Sequence, residues 1–223
     1  MNIWKLYLKA YSQDFNCEKS WGYISEPITA ISNIAFLISS YFAFRLLSKN
    51  TTTDPKLRRL PWFIGLIGIG SGLYHSFNNP YTLIGDLLPI YFFILYSVFL
   101  ILQKAFKNIL IAYSISLTLI LIQLLSLTNL PQSFIGVPTH HIINLSFFIL
   151  LFYWLYRRIG RVALWFIPVL LVYALALLSR TVDLLVSPIT KIGTHSVWHI
   201  IVSLAAYLTV VFLVKLELNE IKS

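Results

Sequence analysis

The chain has 223 residues, of which 58% are apolar and only 11% charged. Soluble domains carry about a quarter charged residues, so a water-soluble globular domain is excluded and lipid is expected to cover much of the surface. Lysine and arginine number 17 against 8 aspartate and glutamate, a formal +9. In so apolar a chain this excess marks the loops that face the cytosol, not a nucleic-acid footprint.

In chain order, residues 1–26 precede the first long apolar run. Asp14 and Glu18 interrupt any secretory-leader pattern, so this stretch reads as an extracytoplasmic segment, with insertion relying on the first helix itself. The single cysteine, Cys17, excludes an intramolecular disulfide. A spanning helix takes about 20 apolar residues, and seven candidates follow, at 27–47, 60–77, 83–103, 107–127, 138–156, 161–180 and 193–215. Pro27 suits a first helical turn. Gly65, Gly68, Gly70 and Gly72 give the second helix a surface that neighbours can approach closely. Asn79-Pro80 marks a tight turn, and the stretch 51–59 is the most polar loop. Trp4, Trp21, Trp62, Trp154 and Trp165 fit interfacial anchoring. No linker or repeat divides the chain. The expected fold is all-α, a polytopic membrane protein with one seven-helix bundle over 27–215 and a short tail at 216–223.

Orientation follows from the basic residues. On these spans five fall on the N-terminal side: Lys5, Lys9, Lys19, Arg180 and Lys191. The other twelve fall on the opposite side, among them Arg45, Lys56, Arg58, Arg59, Lys104, Arg157, Arg158 and Lys215. The N-terminus is therefore expected outside and the C-terminus in the cytosol.

All five histidines (His75, His140, His141, His195 and His199) then fall near the outer ends of their helices. His195 and His199 are spaced i, i+4 and share one helix face. With His75 they make three nitrogen ligands, the number that leaves a fourth position open on a catalytic zinc ion. Ser71 lies one turn before His75, and Asp86 opens the third helix at the same depth. In such a site Asp86 handles the water's proton and Ser71 the substrate oxygen. Taken singly, each has a plainer reading: a His pair bonding neighbouring helices, a serine packed in a glycine-rich helix, an aspartate favoured at a helix start. Their convergence at one depth favours the metal site. His140 and His141 are adjacent, so their side chains diverge and read as interfacial residues. Arg180 and Asp183, spaced i, i+3, read as a local ion pair, and Trp198 as packing beside the site. No GxGxxG, P-loop or Gly-x-Ser-x-Gly pattern is present.

Gly68-Ile69-Gly70-Ser71 through Tyr74-His75, then Asp86-Leu87-Leu88-Pro89, then His195-Ser196-Val197-Trp198-His199 resemble the alkaline ceramidase family. That family belongs to a superfamily of seven-helix membrane metal hydrolases that also includes the progestin and adipoQ receptors. Asp183, Cys17-Glu18, Glu26 and Ser32-Asn33 fit the same pattern, while Leu87 stands where the family usually has a second acidic residue. The resemblance implies zinc on His75, His195 and His199, with Ser71 and Asp86 as catalytic partners. The implied reaction cleaves the amide bond of ceramide, or of a similar long-chain N-acyl lipid, to a sphingoid base and a fatty acid. It also implies a calcium ion on Asp14, Glu18 and Glu26. The partners are then a ceramide-like lipid and the bilayer, and no nucleic acid. A receptor-like member, and one that remodels an ester or GPI-type lipid, are the alternatives.

Overall fold

The structure, a computed structural model, describes Glu18 and residues 20–50, 54–129, 133–134, 137–190 and 192–220. Trp4, Asp14 and Cys17 lie outside the described residues. The first expected helix is split into α1 (Pro27–Ser32) and α2 (Ile34–Lys49), with Asn33 between them. Ser32 Oγ and Asn33 Nδ2 both donate to the Thr29 carbonyl, at 2.6 and 3.0 Å. The Asn33 amide turns instead to Ala30 O at 3.3 Å. Short polar side chains have taken an acceptor that the helix ladder needs.

A 3-10 turn, Pro55–Arg59, leads into α3 (Leu60–Phe77), whose bounds are those expected. Asn78, left-handed at φ 43°, ends it. α4 (Pro80–Phe106) begins three residues earlier than expected because Asn79 caps it. The Asn79 side chain accepts from the amides of Tyr81 and Thr82, and Thr82 Oγ1 accepts from the Asn79 amide, a capping box. α5 (Ile109–Asn129) is followed by a hairpin pairing β1 (Ser133–Phe134) with β2 (Val137–Pro138), which sequence patterning did not anticipate. α6 (Thr139–Ile159) stops at Gly160, whose φ of +60° no helix continues. A 3-10 stretch, Gly160–Phe166, passes into α7 (Ile167–Thr190), and α8 (His195–Glu220) closes the chain.

The all-α expectation holds. Four stretches among the described residues are long and apolar enough to cross a membrane: Pro27–Lys49, Pro80–Phe106, Thr139–Asp183 and His195–Asn219. The third joins two α-helices through the 3-10 stretch, so the four do not map one to one onto the seven expected spans. α3 is diluted by its glycines and by Tyr74, His75 and Ser76, and the apolar part of α5 is short.

α3 packs on α4 and α2, α7 on α8, and α8 also on α1 and α2. The main core of Leu57, Leu60, Ile64, Leu100, Phe166 and Phe212 fills the end away from the histidines. That end is tied by ions: Lys104 pairs with Glu217, and with Asp54 at 3.8 Å. Arg59 and Lys215 lie over the rings of Tyr96 and Trp165.

One contact positions the other end. A Cβ added at Gly70 would fall inside the carbonyl of Gly85. Gly70 is what allows α3 to meet α4 this closely, since a Cβ added at Gly85 would find open space, and the next residues along each helix are Ser71 and Asp86.

Candidate metal centre

His75 sits in the last turn of α3, and His195 and His199 in the first two turns of α8. One nitrogen from each lies within 4.8 Å of the others, and the ring centroids are 4.8–4.9 Å apart. His75 and His199 are buried and His195 half-buried. Ser71 and Asp86 are buried as well, on the facing helices α3 and α4. The i, i+4 spacing puts two rings on one face of α8, and the packing of α8 and α3 around α1 brings in the third.

The surroundings of the rings decide what each can offer. His75 Nδ1 lies 2.8 Å from Glu26 Oε2, both side chains about 4% exposed. A carboxylate only accepts, so Nδ1 carries the proton and Nε2 keeps its lone pair. His199 Nδ1 donates to Ser32 Oγ at 2.9 Å, and Ser32 in turn donates to Thr29 O. Its Nε2 is likewise left as an acceptor. The break at Asn33 serves this arrangement, because it gathers Ser32 and the Thr29 carbonyl under α8.

His195 differs. Its Nδ1 is 2.8 Å from Arg180 NH1, and a guanidinium only donates. Arg180 also bonds Asp183 at 3.2 Å, so the expected ion pair is present and extends to a site residue that the spacing did not reveal. Asp183 Oδ1 accepts from the Thr194 amide, and a Cβ at Gly193, where φ is +74°, would strike the same oxygen. Thr194 Oγ1 donates to Ser179 O at 2.5 Å. This clamp fixes the entry to α8 and with it the height of His195.

Two of the three imidazoles are turned by neighbouring acceptors to present Nε2, as a divalent transition metal requires, and His195 would complete the set with its Nδ1 released from Arg180. Of the carboxylates read as a calcium set, Asp14 lies outside the described residues, and Glu18 and Glu26 have protein partners. Glu18 accepts from the amides of Ile28 (2.5 Å) and Thr29 (3.0 Å) and from Thr29 Oγ1 (2.9 Å), capping α1, while Glu26 holds His75. Sequence reading did not identify Ser32, Thr29 and Arg180 as partners of the rings. The Ser32-Asn33 pair before an apolar run is the one local signal that pointed there.

A three-histidine cluster that could hold a metal ion, set among long apolar helices, marks the chain as a membrane protein. The family model described as Ceramidase matches residues 13–223. The chain belongs to the ceramidase family, in agreement with the resemblance of its motifs. No curated protein matches it. Membership makes it a membrane hydrolase of the ceramide type, acting on the amide bond of a lipid.

Proposed function

We propose that the protein is a zinc-dependent ceramidase cleaving a long-chain N-acyl lipid to an amine and a fatty acid. The observation that carries this reading is the convergence of His75, His195 and His199, with Glu26 and Ser32 turning two of the rings. A zinc ion on these nitrogens supplies a Lewis acid and acidifies water. Asp86 takes the proton of the attacking water and returns it to the leaving nitrogen. Ser71 donates to the oxygen that gains charge as the tetrahedral carbon forms. Water thus adds to the carbonyl carbon, the C–N bond breaks, and the nitrogen leaves protonated. Calcium is not part of this proposal, since the observed partners of Glu18 and Glu26 are the amides of α1 and His75.

The helices are proposed to make seven spans, α1 and α2 forming one, with the N-terminus and the centre on the extracytoplasmic side. The twelve basic residues of the opposite loops support this orientation.

The test is metal analysis of the purified protein together with fatty-acid release from ceramide and from a matched ester. About one zinc per chain, ceramide cleavage exceeding ester cleavage, and loss of both zinc and cleavage in His199→Ala are expected. Cleavage unchanged in His199→Ala would remove the mechanism, and zinc without any hydrolysis would favour a receptor-like role.

A further inference from the structure

Beside the metal centre lies a second polar cluster that this chemistry does not use. His140 and His141 open α6, their ring centroids 4.2 Å apart. His141 lies 4.8 Å from Trp198, which sits between the two α8 ligands. From His141 a line of side chains leads into the apolar body of the bundle. The Tyr173 hydroxyl on α7 is 3.3 Å from His141 Nδ1, and the side chain of Asn144 on α6 lies beside it. Gln123 Nε2 on α5 donates to Asn144 Oδ1 at 2.7 Å.

The direction of this chain is set by its chemistry. Asn144 uses its oxygen on Gln123, so its NH2 group faces the Tyr173 oxygen. The Tyr173 hydroxyl then donates to His141. Each member passes a donor the same way, and the line begins at Gln123 Oε1, an acceptor without a hydrogen-bond partner among the described residues. Gln123 is 3% exposed and Asn144 2%. Ser116 Oγ, two turns away on the same face of α5, is also buried without a hydrogen-bond partner among the described residues. Polar groups inside a membrane bundle are costly and mark functional positions, and an open buried acceptor is the costliest member of such a line.

We propose that Gln123, held in place by Asn144 and Tyr173, is a subsite for a hydroxyl group on a hydrocarbon chain of the lipid substrate. The donor it awaits is neutral, since a charged group would pay heavily for these apolar surroundings. The line ends at His141, whose ring packs on Trp198 between the two α8 histidines, so it joins Gln123 to the surroundings of the metal centre. The hydroxyl can belong to the acyl chain or to the amine-side chain, and both offer the same O–H to Gln123 Oε1. The inference rests on the lipid-amide reading and names the feature by which that site would choose among lipids.

The test uses the full-length protein and three matched ceramides: one with no additional chain hydroxyl, one 2-hydroxylated on the acyl chain, and one with an extra hydroxyl on the sphingoid chain. One hydroxylated lipid is expected to be preferred over the plain one about tenfold or more in kcat/KM, and its identity assigns the chain. The same lipid should raise the thermal midpoint more than the plain one does. In Gln123→Met, close in length to the native side chain, the preference is expected to fall to about one, and in Gln123→Asn to fall part of the way. Zinc content shows that each variant has kept its site. Equal handling of the three lipids by wild type in turnover and thermal shift, or a preference unchanged in Gln123→Met, overturns the proposal. If no amide is cleaved at all, the hydrolase reading fails, while the thermal shifts still decide the subsite.

Discussion

Two histidine clusters share one end of the bundle, and their neighbours set them apart. His75 and His199 meet acceptors at Nδ1, from Glu26 and Ser32, and so present Nε2 as a ligand. His141 meets the Tyr173 hydroxyl, and its ring packs against His140 and Trp198. The first cluster draws on helices distant in sequence and is turned inward; the second begins with two adjacent residues and feeds a line of polar side chains. What suits an imidazole to hold a metal here is what its other nitrogen touches. His195 stands between the two cases, with the ligand spacing of the first cluster and a donor, Arg180, at Nδ1.

The comparison breaks most sharply at the residues proposed to face the substrate. Ser71→Ala is expected to lower kcat by about 10²–10³ with zinc content unchanged, because one oxyanion donor is lost. Single-turnover rates with metal analysis on the same sample check this. The close approach of α3 and α4 comes next. Gly70→Ala is expected to cost about 3 kcal/mol of stability through overpacking against Gly85. Gly72→Ala, where an added Cβ meets its nearest atoms at 3.8 Å, is expected to be nearly neutral; unfolding midpoints of the two in one detergent decide. Glu26→Gln keeps an acceptor for His75 but removes its charge, and metal affinity is expected to fall about 10–100-fold, read by competition with a chelator. The smallest effect sharpens the contrast: His141→Ala should leave zinc content at the wild-type level. A drop in zinc there would join the two clusters into one site.

Much of the first cluster was legible in the sequence. The i, i+4 pair on α8, the turn between Ser71 and His75, and the bounds of α3 are local and periodic, so spacing alone reveals them. The split at Asn33 was not legible, because it depends on side chains outcompeting a backbone amide for the Thr29 carbonyl. The longer α7 and the hairpin before α6 were missed for a related reason: apolar period does not mark where a helix yields to a turn.

By itself, then, the sequence determined an apolar, largely helical chain, the order of its motifs and the i, i+4 pair of imidazoles on α8. Those properties reside in composition and in periods of a few residues. Tertiary structure alone decided that Glu26 holds His75, that Ser32 holds His199 across 167 residues, and that Arg180 reaches His195. It alone placed Gln123, Asn144, Tyr173 and His141 on one line. A hydrogen bond forms within a few tenths of an ångström and a narrow range of angles. That precision between distant helices comes from how their faces pack, at contacts such as Gly70 on Gly85, and no local pattern encodes it.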